Sequence, residues 1–432
     1  MSWKELYNSK IKTAEEAVKY IKSGDKVILH HAAAEPIYLV EKMAENYKNY
    51  KDVEVYQMVE LGPASYAKPE MKGHFRFNAP FLGATTRGSV ADGYGDFTPC
   101  FFYQCPELIK TKLGPDVALI NVSTPDKNGY CNYGVSCDYS KPSAEAAKLV
   151  IAQVNKYVPR ILGDNFIHVS DIDIIVEHDA PIVEIPLPKI GEVERAIGQN
   201  CANLINDGDT LQLGIGAIPD AVLLFLKDKK DLGIHSEMIS DGVVELVESG
   251  VITCNKKNVN KGKMIVGFLM GTKRLYDFVD NNPMVLMNPI TYVNDPRIIG
   301  ENDNLVSINS ALQVDLYGQV CAESMGTTQF SGVGGQVDFI RGAAFSKGGK
   351  SIIAFPSTTK NDTISKVVPF LTAGSPVTTS RTDIDYVVTE YGIAKLKFNT
   401  LRERAKQLIN IAHPNFREEL KKEFKIRFKE DF

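Results

Sequence analysis

The chain says the same thing twice, and a repeat of this length restricts it to a fold built from two similar units. Ser23-Gly24-Asp25, an apolar run and then Ala34-Glu35-Pro36 opening a helix return as Asp207-Gly208-Asp209, an apolar run and Ile218-Pro219-Asp220 opening a helix. Val117-Ala118-Leu119-Ile120-Asn121 leads to a hairpin at Asn128-Gly129-Tyr130, and Leu305-Val306-Ser307-Ile308-Asn309 leads to one at Tyr317-Gly318-Gln319. Asp171-Ile172-Asp173-Ile174-Ile175-Val176-Glu177 recurs as Asp383-Ile384-Asp385-Tyr386-Val387-Val388-Thr389-Glu390. Three matches in one order point to duplication rather than chance.

Within each half, short β-branched runs alternate with amphipathic stretches. Lys26 to Leu29, Val53 to Tyr56, Val117 to Ile120 and Leu149 to Ala152 read as buried strands, and Ala14 to Ile21 and Pro36 to Lys48 as helices. This is the βαβ pattern of a mostly parallel sheet. The expected fold is therefore α/β, with two similar open domains at 1–182 and 183–432 joined at the Pro-rich segment Pro181 to Pro188. Ligands are expected between the halves, near the carboxyl ends of strands.

Charge and hydropathy remove several partners. Lys plus Arg number 49 against 53 Asp plus Glu, a net charge of −4, which gives no general footprint for nucleic acid or an anionic membrane. The longest apolar stretches, such as Ala221 to Leu226, fall far short of the roughly 18 residues of a bilayer span. The N-terminus from Met1 to Leu6 carries charge and no apolar core, so no signal peptide is expected and the default location is cytoplasmic. Seven scattered cysteines without a Cys-x-x-Cys pair read as reduced, mostly buried thiols, and no metal site is expected.

Three segments carry candidate chemistry. Gln212-Leu213-Gly214-Ile215-Gly216-Ala217-Ile218-Pro219 runs into an apolar helix read as Ala221 to Leu226, with Pro219 at its first position. Such a loop offers helix-terminal amides to a phosphate or an oxyanion, or is simply a tight βα turn. Gly233-Ile234-His235-Ser236-Glu237-Met238 then places Glu237 between a strand end and the helix Val243 to Val247. A carboxylate there is a nucleophile or base in a cleft, or a charge at a helix start. His235 and His413 read as structural. Ser331-Gly332-Val333-Gly334-Gly335-Gln336, between apolar strands, is a second close-approach loop or a glycine-rich bulge. Its amides and those of 214–217 can converge as an oxyanion hole. Asn309, Lys347 and Asp385 to Gly392 share the same ambiguity.

The set Gly-Ile-His-Ser-Glu-Met, Ser-Gly-Val-Gly-Gly-Gln-Val-Asp-Phe, Asp-Tyr-Val-Val-Thr-Glu-Tyr-Gly and Ile-Ala-His-Pro, in this order, resembles the acetyl-CoA hydrolase/transferase family of class I CoA-transferases. The resemblance spans essentially the whole chain. Within the family, His235 to Gly242 is similar to the 4-hydroxybutyrate CoA-transferase group; butyryl-CoA:acetate transferases carry Thr where this chain has Ser236. The resemblance implies that Glu237 is the catalytic glutamate of a ping-pong exchange through an acyl-glutamyl anhydride and a glutamyl-CoA thioester. It carries over Gln212, Gly214, Ile215, Gly216, Ala217, Ile218, Gly332, Gly334 and Gly335 as CoA or oxyanion contacts, with Asn309 and Lys347 beside them. It further implies an acyl-CoA and a short carboxylate as substrates, no resident cofactor or metal, and a homo-oligomer. The rivals are butyryl-CoA:acetate transfer, acyl-CoA hydrolysis by water at the same site, and a metabolite-sensing module. The last would not require a carboxylate at 237 and would bring a DNA-binding module, of which the chain shows no basic terminal trace.

Overall fold

A computed structural model describes residues 2–359 and 361–432; Met1 and Lys360 lie outside the described residues. The first sheet contains β1 (Lys26–Leu29), β2 (Val53–Tyr56), β3 (Phe75–Ala79), β4 (Gly95–Phe97), β5 (Val117–Val122), β6 (Leu149–Val154) and β7 (Ile174–Glu177). Their order is β7-β6-β5-β1-β2-β3-β4, and among the described residues their pairings are parallel. The second sheet contains β8 (Thr210–Gln212), β9 (Gly233–Ile234), β10 (Leu305–Asn309), β11 (Lys350–Ala354), β12 (Tyr386–Thr389) and β13 (Gly392–Lys395), ordered β9-β8-β10-β11-β12-β13. Only its last pair is antiparallel.

The repeat is visible in these orders. In each sheet the strand after the Gly-Asp turn has its chain successor on one side and the Asn-bearing strand, β5 or β10, on the other, followed by two more parallel strands. The duplicated hairpin turns also match, since Gly129 and Gly318 have φ of +87° and +84°, a region that favours glycine. β5 is buried along its whole length, as a strand covered on both faces must be. The expected mostly parallel α/β class is borne out.

The expected domain division needs correcting in one respect. The chain forms two compact units, 1–186 with 265–293, and 187–264 with 294–432, so the second half is not continuous. Residues 265–293 return to the first unit because they find hydrogen-bond partners there. Val285–Met287 pairs in parallel with Leu162–Gly163, the Tyr276 hydroxyl donates to the Val183 carbonyl at 2.7 Å, and the Arg160 N–H donates to Asp280 at 2.7 Å. Helix edges shift as well: α1 is Ile37–Glu45 rather than 36–48, and 14–21 divides into Ala14–Ala17 and a 3-10 turn. Among the described residues, no helix is long and apolar enough to cross a membrane.

One buried acid in the first unit makes its stability depend on pH. Glu35, just before α1, accepts the N–H groups of Leu61 and Gly62 at 3.0 and 2.9 Å while only 4% exposed. Burial raises its pKa from 4.5 to about 7, with those amides opposing the rise. The folded state therefore holds a proton that the unfolded chain releases, so this contribution is full below about pH 4.5 and lost as pH rises through about 7. The shift corresponds to about 3 kcal/mol. Urea unfolding of wild type and Glu35→Gln across that range is expected to show this loss in wild type only; parallel pH curves would contradict it.

Candidate active site

The site is built in the second unit, at the carboxyl ends of β8, β9 and β10. β8 ends at Gln212 and passes through Gly214 and Gly216 into α2 (Ala217–Leu224), whose N-cap is Gly216 at φ +112°. The helix begins four residues earlier than the apolar run predicts. Pro219 is thus its third residue, still within the first turn, where a missing N–H breaks no intrahelical bond. A Cβ built on Gly214 or Gly216 would meet nothing within 4 Å. Both glycines therefore border open space rather than a packed crossing. At Gly214 it belongs to a cleft of about 350 Å³, lined also by Ile215, Ala217, Ile218, Ile308 and Asn309. Beneath it the Asn309 amide donates to Gln212 Oε1 at 3.1 Å, which ties the ends of β8 and β10 together.

The glycine loop and the Glu237 segment are locked to each other. Leu213 forms an antiparallel bridge with Met238, and the Ser236 hydroxyl meets the Leu213 N–H at 3.2 Å and the Met238 carbonyl at 2.6 Å. Glu237 lies between β9 and the short strand Met238–Ile239, three residues before Ser240, the N-cap of α3 (Asp241–Glu248). This helix is longer at both ends than 243–247. The Glu237 carboxylate is half-buried, and its Oε2 accepts a hydrogen bond from the Asn294 amide at 2.8 Å. The same amide nitrogen lies 3.3 Å from Asp338 Oδ2, and Asn294 is 0% exposed. One carboxylate oxygen is thereby fixed by a side chain that is itself fixed.

The second glycine loop backs onto this carboxylate. Gly335 is the N-cap of α4 (Gln336–Phe345), so the segment from Ser331 to Gly335 enters a helix and is not a bulge between strands. A Cβ on Gly335 would fall onto Glu237 Oε2 and Asn294 Nδ2. Gly334, at φ +53°, supplies the left-handed residue that turns the chain into the helix. Gly332 is buried in the same loop.

Most of the residues singled out by sequence thus gather here: Gln212, Gly214 to Ile218 and Asn309 around the cleft, and Glu237 with Gly335 beside it. Lys347 does not. It is exposed, two residues beyond the end of α4, and its carbonyl accepts from Asn304, just before β10 begins. Ten helical residues rise about 15 Å, so Gly335 and Lys347 mark opposite ends of α4. His235 is fully buried, with Nδ1 3.4 Å from the Asn302 amide, and His413 caps the helix Pro414–Phe428 by accepting from Asn415. Both are structural. Sequence reading missed Asn294. Its one signal is that Val293-Asn294-Asp295-Pro296 already has its helix cap in Asp295, leaving the asparagine without a local task.

Comparison with known proteins finds relatives along nearly the whole chain. The family models for the acetyl-CoA hydrolase/transferase N-terminal and C-terminal domains match residues 1–186 and 271–424. A 4-hydroxybutyrate coenzyme A transferase of Clostridium kluyveri is 62% identical over 429 residues, 99% of this chain and 100% of that protein. A butyryl-CoA:acetate CoA-transferase of Anaerostipes caccae is 36% identical, covering 98% of this chain and 97% of its own. Among solved structures, a 4-hydroxybutyrate CoA-transferase of Porphyromonas gingivalis superposes with a TM-score of 0.86 at 45% identity, covering 99% and 100% of the two chains.

Proposed function

The chain belongs to the acetyl-CoA hydrolase/transferase family, and from that premise we propose that it moves CoA between acetyl-CoA or butyryl-CoA and 4-hydroxybutyrate, with Glu237 as nucleophile. It is a CoA-transferase. The observation that carries the residue assignment is the Glu237 carboxylate, oriented by Asn294 at 2.8 Å, against Gly335 and beside an open glycine loop.

In the proposed reaction the Glu237 carboxylate adds to the thioester carbonyl, and the carbon–sulfur bond breaks to leave an acyl-glutamyl anhydride and CoA thiolate. The thiolate then attacks the glutamyl carbonyl, releasing the first carboxylate and forming a glutamyl-CoA thioester. The incoming carboxylate attacks that thioester, and thiolate attack on the new acyl carbonyl regenerates Glu237. Every addition places negative charge on a carbonyl oxygen. Amides at the start of α2 and in the loop before α4 are the donors available for it, and one such donor is worth roughly 2.7–4 kcal/mol in a known oxyanion hole. A carboxylate is a weak nucleophile, so much of the acceleration must come from binding parts of CoA remote from the thioester, which the cleft along 214–219 is placed to do.

The Clostridium kluyveri relative supports the choice of 4-hydroxybutyrate as acceptor. Purified enzyme assayed with acetyl-CoA or butyryl-CoA against C2 to C6 acids is expected to transfer CoA to 4-hydroxybutyrate at the highest kcat/KM. A higher value for acetate or butyrate would move the assignment to butyryl-CoA:acetate exchange. CoA release with water alone, and with no acid accepting CoA, would make the chain a hydrolase.

A further inference from the structure

The strand that leads into Glu237 is held at its open edge by a buried lysine. β9 is the end strand of its sheet, and the N–H groups of Gly233 and His235 donate to the Asp209 and Leu211 carbonyls of the β8 side at 2.9 and 3.1 Å. Ile234, between them, turns its peptide groups the other way. The segment 252–263 covers that edge: Leu232 bridges Ile252, and the N–H groups of Thr253 and Cys254 reach the Leu232 carbonyl at 3.1 and 3.0 Å. At Ile234 the donor from the covering segment is a side chain. The Lys257 ammonium takes that place, donating to the Ile234 carbonyl and to the Lys263 carbonyl, both at 2.8 Å.

Lys257 is 3% exposed, and the strand is cut to fit it. A Cβ at Gly233 would stand 2.7 Å from Lys257 Cγ and 3.0 Å from Thr210 Oγ1, so this glycine is the seat of the lysine stem. Burying an amine against two carbonyls is an expensive way to close a sheet edge, since an apolar side chain fills such space without desolvating a charge. Burial lowers its pKa to about 8, with only Cys254 opposing. Among the described residues, the titratable group acting on it is Cys254, on the same segment and itself raised by burial; from β9 it faces Gly233 and the Ile234 carbonyl.

We infer that Lys257 is a positioning residue for CoA transfer, its ammonium pinning the Ile234 carbonyl and so fixing the His235 to Glu237 segment that presents the carboxylate. This rests on Glu237 as nucleophile. As pH rises through about 8 the ammonium loses its proton, its hold on the two carbonyls weakens, and kcat falls while the CoA cleft is untouched.

The test measures kcat and KM from about pH 6 to about 9.5 for wild type, Lys257→Met, Lys257→Arg and Cys254→Ala, with wild-type acyl-enzyme trapped and mapped by mass spectrometry. Wild type and Cys254→Ala are expected to lose kcat on an alkaline limb centred near 8. Lys257→Met is expected to lose about tenfold or more in kcat at pH 7, with KM for acyl-CoA within about twofold and no such limb. Lys257→Arg keeps a charge that does not titrate and should also lack the limb. If the methionine variant does not fold, the arginine variant decides. A limb near 8 in either lysine variant, its loss in Cys254→Ala, or wild-type kcat in Lys257→Met overturns the inference. A trapped mark on a residue other than Glu237 overturns the nucleophile assignment and this inference with it; a mark on Glu237 confines any failure to Lys257.

Discussion

Gly335→Ala is expected to lower kcat at least about 100-fold while acyl-CoA still binds. The added methyl has nowhere to go, because it falls on Glu237 Oε2 and the Asn294 amide that holds it. Either the carboxylate swings away or the hydrogen bond at 2.8 Å breaks, and misplacing a reacting group by about 1 Å is enough for such a loss. At φ −92° the backbone itself accepts alanine without strain, so the fold should persist. Steady-state kinetics with circular dichroism checks this. Wild-type turnover in a folded variant would mean that Glu237 does not work from the observed position.

Glu237→Gln is expected to lose turnover by about 10⁴-fold or more, the scale on which lost nucleophiles register. An amide keeps the shape and the Asn294 contact but cannot form the anhydride. Isothermal titration of CoA should give an affinity close to wild type, since the cleft along 214–219 does not include this side chain. Retained exchange would return Glu237 to the role of a charge near a helix start. The geometry already weakens that role, because Ser240 is the N-cap of α3 and the carboxylate is engaged by Asn294 instead.

What could be read beforehand follows from what each signal measures. Strands such as 117–122 and 305–309 declare themselves because a strand buried on both faces is mostly apolar along its run, and the duplicated Gly-Asp turns repeat because their glycines need positive φ. The position of Glu237 alone leaves a nucleophile and a helix-start charge both open, and the family motif around it is what favours the first. Lys347 was misplaced because motif order says nothing about the ten residues of α4 that separate it from Gly335. Asn294 is hard to read because its partners are 57 and 44 residues away and its one local mark is the cap already supplied by Asp295. The return of 265–293 to the first unit has the same origin: pairing of Val285–Met287 with Leu162–Gly163 is a choice of partner, and strand composition carries no address.

The covalent intermediate tests the account most directly. Wild-type enzyme incubated with acyl-CoA and no acceptor, trapped with hydroxylamine or borohydride and digested, is expected to carry its modification on the Glu237 peptide alone, with none in Glu237→Gln. A modification on another side chain, such as a cysteine, or none in enzyme that turns over normally, would contradict transfer through a glutamyl-CoA thioester at this residue.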